Sequence, residues 1–333
     1  MAGLEVPWSI GFLSEREMLV TERPGRLRLV RDGTLVPEPV ATLAIGDTSE
    51  GGLLGLALHP AFAQNQLFYL YFTARAAGGS ENKLERWKLA PDHASATREK
   101  VLLEGVPGAA YHDGGRIRFG PDGMLYVGTG DARQPDRAQD PNSPSGKILR
   151  FTAEGTIPAD NPFPGKSAFI LGVRNTQGFD WFDPRTLVVT DHGPSGELSR
   201  SGHDEVNVAI AGANLGWPTI YSCESQGGMI SPSLTWDSAA PPGGAALYRG
   251  SKIPEWRESL IIATLGSKHL HRVVFDREKR DKVASHEVYF QNTYGRLREV
   301  VMGPDGELYI TTSNCDGRGS CPKDKDKVLR VTR

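Results

Sequence analysis

The segment Ile117-Arg118-Phe119-Gly120-Pro121-Asp122-Gly123-Met124-Leu125-Tyr126-Val127-Gly128-Thr129 returns almost unchanged as Val300-Val301-Met302-Gly303-Pro304-Asp305-Gly306-Glu307-Leu308-Tyr309-Ile310-Thr311-Thr312. In both, short apolar runs flank Pro-Asp-Gly, which supplies a preset φ, a capping side chain and a left-handed position, the chemistry of a tight hairpin. Weaker copies begin at Trp8 (Ile10 to Thr21, Leu27 to Val30), at Leu54 (Leu56 to His59, Leu67 to Thr73, Leu84 to Leu89), at Phe179 (to Asp183, then Leu187 to Thr190) and at Leu260 (to Thr264, then Arg272 to Asp276). Units spaced by roughly 35 to 60 residues, six in all, are the mark of a repeat architecture. Later runs such as Lys147 to Phe151 and Lys327 to Val331 end in basic or turn residues and read as outer strands. Radial repetition of four-stranded antiparallel blades fits this pattern: an all-β, six-bladed β-propeller whose innermost strands line a central channel. A β-sandwich is the alternative, but it gives no reason for a unit of this length to recur. The 39 glycines and 23 prolines, spread without low complexity, suit many short strands and tight turns. Asp183-Pro184 and Pro241-Pro242-Gly243-Gly244 read as loops, no long helix is required, and no linker divides residues 1–333, so one propeller domain is expected.

Charge narrows the partners. With 38 basic and 40 acidic residues there is no global field to gather nucleic acid or anionic lipid, so a small molecule is the expected partner. No run approaches the length of a bilayer span, and Met1-Ala2-Gly3-Leu4-Glu5 has neither the basic nor the apolar part of an export signal, although a chain starting at a mature domain would look the same. Cys315 and Cys321 lie in a turn-rich segment and either close a small loop or stay as two thiols. A bridge would suit an oxidising compartment; Cys223 has no obvious partner. Without an apolar seam, a monomer is the default.

Several polar residues cluster at blade entrances. His112, in Tyr111-His112-Asp113-Gly114-Gly115-Arg116, precedes a repeat's first strand, and Asp131, in Gly128-Thr129-Gly130-Asp131, follows the second strand of the same hairpin. A lone loop histidine is ordinarily solvated, but one oriented by a carboxylate becomes a candidate base. Arg174 and Asn175 precede the next repeat, and Arg296 and Arg298 the last. Arginines at i and i+2 on a strand point the same way, with planar forks suited to carboxylates. The runs Asp191 to Glu197 and His203 to Asn207 are rich in oxygen donors for a hard cation, without EF-hand spacing. No zinc pattern links the remaining histidines and cysteines, and no glycine-rich dinucleotide fingerprint opens a helix.

Taken together these motifs resemble the glucose/sorbosone dehydrogenase family, and within it the soluble aldose sugar dehydrogenases that use pyrroloquinoline quinone. The resemblance runs from Pro7-Trp8 to Val328-Leu329 and rests on Glu50 to Ala57, His112 to Asp131, Arg174 to Gly178, His192-Gly193-Pro194 with Asp204 to Asn207, Asn214 to Pro218, and Arg296-Leu297-Arg298. It implies that His112 is the base for the sugar's anomeric hydroxyl, with Asp131 raising its basicity and Arg174 beside the reactive quinone carbonyl. It implies calcium held at the cofactor by the Gly193 and Pro194 carbonyls, and a second, structural calcium near Glu205 and the Leu215 carbonyl. Arg296, Arg298 and Lys268 would take the cofactor's carboxylates, with Asn175 and Glu50 as further contacts. Glu50 stands where the soluble glucose enzyme has glutamine, so a negative charge is expected to weaken cofactor binding unless it is protonated or turned away. The implied activity is oxidation of aldoses to lactones, electrons passing to an external acceptor, in a periplasmic or secreted protein. The competing readings are a calcium-dependent propeller lactonase and a non-catalytic extracellular binding propeller.

Overall fold

The two Pro-Asp-Gly turns close through their own side chains. Gly123, at φ 74°, donates its N–H to the Gly120 carbonyl at 2.9 Å, and Asp122 accepts both the Met124 N–H at 3.1 Å and the Tyr126 hydroxyl at 2.9 Å. Arg150, opposite Tyr126 on the next strand, clasps the same carboxylate at 3.0 Å. The other copy repeats every part: Gly306 at φ 77°, Asp305 under the Glu307 N–H and the Tyr309 hydroxyl, and Arg330 reaching Asp305 at 2.9 Å.

A computed structural model describes residues 1–46 and 49–333. Its strands form six antiparallel sheets, the blades of a six-bladed β-propeller. From the channel outward, blade 1 is Pro7–Phe12, Glu17–Glu22, Arg26–Arg31 and Thr34–Leu35, with Ala41–Thr42 pairing beside it. Blade 2 is Leu53–Leu58, Leu67–Ala76, Gly79–Leu89 and Ala96–Pro107; blade 3 is Ile117–Phe119, Leu125–Gly128, Ile148–Phe151 and Ala168–Ile170. Blade 4 is Gly178–Asp183, Thr186–Asp191, Asp204–Ala209 and Leu234–Trp236; blade 5 is Pro242–Leu247, Leu260–Thr264, Leu270–Phe275 and Val283–Tyr289. Blade 6 takes Leu297–Met302, Leu308–Thr312 and Asp326–Val331 from the end of the chain and is completed by Ala2–Leu4 from its start. Helix is confined to short turns, and among the described residues none is long and apolar enough to cross a membrane.

The core lies between blades. Successive side chains of a strand point to opposite faces, so one strand feeds two interfaces: Leu187 and Val189 pack toward blade 3 while Val188 packs toward blade 5. Six apolar clusters result, one at each junction, including the one where Leu4 and Val328 of blade 6 meet Ile10 and Val20 of blade 1.

Three sequence expectations need correction. Pro241-Pro242-Gly243-Gly244 is not a loop throughout: Pro242–Leu247 is the innermost strand of blade 5, so this repeat begins one strand earlier than Leu260. The composition that looks like a turn serves close packing, since a Cβ on Gly243 would collide with the Arg298 carbonyl and one on Gly244 with Glu299. Lys147 to Phe151 is a third strand, covered by Ala168–Ile170, and the strand at Lys327 to Val331 is covered by Ala2–Leu4.

Candidate active site

Residues just before the innermost strands, among them Glu50, His112, Asn175, Pro241 and Arg296, line one cavity of about 140 Å³. Residues just after the second strands join them: Arg23, His192, Leu265 and Asp316. Blade topology therefore delivers both kinds of loop to the same mouth of the channel. A wider cleft of about 710 Å³, bounded by Tyr111, Arg133, Gly196 and Glu197, shares Glu50, His112, Ser195 and Arg318 with that cavity.

His112 and Asp131 meet as the hairpin predicts. The imidazole Nδ1 lies 2.7 Å from Asp131 Oδ1 with both side chains buried. Asp131 also accepts the Arg133 N–H and the Trp217 indole N–H, each at 2.8 Å, so the carboxylate cannot rotate away. A carboxylate accepts from Nδ1–H, which leaves the Nε2 lone pair toward the cleft; Glu197 Oε1 stands 3.5 Å from it. The approach requires Gly130, because a Cβ there would collide with the His112 carbonyl. His112 itself sits at φ 70°, a left-handed conformation that places a side chain at some conformational cost.

Arg174 is buried beside this pair. It contacts Glu197 at 2.7 Å and the His192 carbonyl at 3.3 Å and lies 5.6 Å from the Trp217 ring centre, while its Nε has no partner. Asp191 fixes the turn by accepting the backbone N–H of Arg174 and of Asn175, each at 2.7 Å. Asn175 Oδ1 in turn accepts the Gly114 N–H at 3.0 Å, tying this loop to the one that carries His112. His192 donates from Nε2 to the Pro242 carbonyl at 2.7 Å, and burial pushes its pKa down to about 3, so it is neutral.

Blade 6 supplies positive charge. Arg296 pairs with Asp316 at 2.8 Å, and Arg298 donates to Gln177 Oε1 at 2.6 Å. Burial, only partly opposed by Asp316, pulls the Arg298 pKa down to about 9. Cys315 and Cys321 are bonded, closing the loop that brings Asp316 and Arg318 into the cavity wall. Burial opposes the charge on Glu50, yet the His112 N–H and Arg318 hold its carboxyl below the ordinary range, with Arg318 at 2.7 Å. Glu50 is thus neither protonated nor turned away; Arg318 neutralises it.

The remaining expected residues are placed unevenly. Lys268 is exposed on the turn after Leu260–Thr264 and does not line the cavity. Gly193 and Pro194 follow His192 at the same mouth; the Pro194 carbonyl already accepts the Gly202 N–H at 3.0 Å. Glu205 is half-buried on the third strand of blade 4, where desolvation and its neighbours Asp191 and Asp204 push its pKa up to about 8. No described contact joins it to Leu215, whose N–H donates to the Leu171 carbonyl. Among the described residues, no three His, Cys, Asp or Glu side chains converge as a metal site. Sequence reasoning missed the roles of Arg23, Gln177, Glu197, Trp217, Asp316 and Arg318; all but Arg23 lay inside segments that stood out, but for other reasons.

The model of the family described as Glucose / Sorbosone dehydrogenase matches residues 4–321. The chain belongs to the glucose/sorbosone dehydrogenase family. A Thermus thermophilus structure assigned as an oxidoreductase (glucose dehydrogenase) is 42% identical, with a TM-score of 0.89 over 99% of this chain and 97% of the other. The PQQ-bound aldose sugar dehydrogenase of Streptomyces coelicolor is 31% identical, with a TM-score of 0.88 over 99% and 95%. An aldose sugar dehydrogenase of Escherichia coli is 30% identical over 94% of this chain and 89% of its own length. As a member of the glucose/sorbosone dehydrogenase family the protein is an oxidoreductase, and the mouth just described is its candidate active site.

Proposed function

We propose that the protein oxidises aldose sugars such as glucose at the anomeric carbon to the lactone, using pyrroloquinoline quinone and calcium, and passes electrons to an external acceptor. The carrying observation is the union at one mouth of a carboxylate-oriented histidine, open at Nε2, with an excess of arginine. Among the described residues, five arginines, Arg23, Arg174, Arg296, Arg298 and Arg318, line the cavity against two carboxylates, Glu50 and Asp316, with Glu197 pairing Arg174 from the adjoining cleft. Buried cations with too little counter-charge are costly, and a cofactor bearing three carboxylates supplies what is missing. The unpartnered Nε of Arg174 points to the same deficit. The residues present therefore fit the quinone.

Arg296 and Arg298 would hold its carboxylates, with Asn175 and Arg318-paired Glu50 as further polar contacts. Bound there, the quinone supplies a two-electron acceptor for hydride from the sugar carbon. His112 Nε2 takes the proton of the anomeric hydroxyl as that hydride leaves. Asp131 holds the imidazole in the required tautomer and, with Glu197, favours the imidazolium that forms. Arg174 places positive charge where an oxygen gains negative charge. Calcium would be held at the Gly193 carbonyl, which accepts no described hydrogen bond, with Pro194 beside it, and would act as a Lewis acid there. Glu205 offers a half-buried carboxylate, next to the unpartnered Asn207 Oδ1, for a structural cation, but Leu215 is not joined to it. An exported location, periplasmic or secreted, agrees with the Cys315–Cys321 bridge.

The test is reconstitution: purified protein with the quinone and calcium should reduce an artificial dye when glucose is added. Absence of turnover with several aldoses, or full turnover by His112→Ala, would overturn the proposal. Lactone hydrolysis without the quinone would favour the hydrolase reading instead.

A further inference from the structure

The innermost strands run on from the active mouth to the other end of the channel, where Leu58, Phe119, Trp181 and Met302 border a separate cavity of about 560 Å³. It shares no lining residue with the cavity at the active mouth. Its charged wall is Arg116, Arg118 and Arg249 against Asp180 and Glu299, one arginine in excess. Arg116 is paired with Glu299, and Arg249 grips Asp180 through two bonds of 2.9 Å. Arg118 donates to the Phe179 and Val300 carbonyls at 3.0 and 3.4 Å and lies 3.8 Å from each carboxylate, so of the three it has the loosest ion pairing.

Hydrogen bonding shows the same imbalance. Arg116 is 1% exposed, yet its Nη2 has no partner, and the indole N–H of Trp181 on the same wall is also buried and unpartnered. Among the described residues lining this cavity, these two donors are the only unsatisfied buried atoms. Buried donors without acceptors are unusual in folded proteins and ask for an explanation. A water molecule could answer the hydrogen bonds but not the surplus charge. A bare halide could answer the charge but would leave Phe119, Trp181 and Met302 facing solvent across most of the cavity.

We infer that this far mouth binds a small organic monocarboxylate. Its carboxylate is taken by Arg116, Arg118 and the Trp181 N–H, and its body lies against the apolar wall. The site is distinct from the active mouth, because Arg298 and Gln177 line that one while their chain neighbours Glu299 and, farther along, Asp180 line this one. The inference does not depend on the cofactor.

The test is calorimetric titration of the full chain with sodium benzoate, against sodium chloride at equal ionic strength, with thermal unfolding followed in parallel. Saturable benzoate binding and a rise in Tm that chloride does not reproduce are expected. Arg118→Met should weaken binding by about tenfold or more, since a charge-assisted bond is lost. Trp181→Phe, which removes one N–H and keeps the ring, should weaken it by roughly threefold; this milder variant decides the matter if Arg118→Met does not fold. Arg296→Met, at the other mouth, should leave benzoate binding unchanged. No benzoate effect beyond that of chloride, unchanged binding in Trp181→Phe, or loss of binding in Arg296→Met would each overturn the inference.

Discussion

Blades 3 and 6 share one hairpin and diverge in everything attached to it. Both have the Pro-Asp-Gly turn, the tyrosine on its aspartate and the arginine clasp from the third strand. That turn joins the far end of the innermost strand to the second strand, and in blade 3 its Gly120 and Pro121 border the far cavity. At the opposite end of the same two strands, blade 3 presents His112 and Asp131, whereas blade 6 presents Arg296, Arg298 and Asp316. One end of a blade repeats because it holds strands together; the other varies because each blade contributes a different chemical part.

The division can be broken first at blade 3. His112→Ala should lower kcat in dye-reduction assays by about 10³-fold, within the range for loss of a general base, and should leave thermal unfolding nearly unchanged. A large fall in Tm would mean that the loop also supports the blade. At blade 6, Arg298→Met should weaken quinone binding by about 10²-fold in a fluorescence titration, since a buried charge-assisted contact is lost. Turnover at saturating cofactor should fall far less, and an equal fall would put Arg298 in the chemical step.

Smaller effects sharpen the comparison. Replacing Cys315 and Cys321 by serine should cost about 2 kcal/mol in denaturant unfolding, the loop-entropy figure for so short a closure. It should also loosen cofactor binding, because Asp316 and Arg318 enter from that loop. Tyr126→Phe and Tyr309→Phe should each cost about 1 kcal/mol, one hydrogen bond, and leave kcat alone. Markedly unequal losses would show that the two copies are alike in sequence but not in load.

How legible each feature was follows from the range of the forces behind it. The Pro-Asp-Gly turns are local, so their side chains announce them. The pairing of His112 with Asp131 was readable because one hairpin carries both. Trp217 and Arg318 were not, since they reach Asp131 and Glu50 across 86 and 268 residues of chain and only the closed ring brings them together. Pro242, Gly243 and Gly244 misled because the composition that permits a turn also permits an innermost strand to press against Arg298 and Glu299. Glu50 looked like an intruder in a site for an anion until its partner, Arg318, was seen to come from another blade.

Blade 6 also imposes an order of events on synthesis. Its outermost strand, Ala2–Leu4, is made before the other five blades, while its pairing partner, Asp326–Val331, is made after them. The ring must therefore wait, with one edge unpaired, until the last of its blades has been made. Loop closure over so long a separation is slow, and an exposed strand edge is a template for mispairing between chains. A bulky fusion placed directly ahead of Ala2 would burden this last step more than one placed after Arg333, and the expected symptom is aggregation of newly made chains, with the finished protein unaffected.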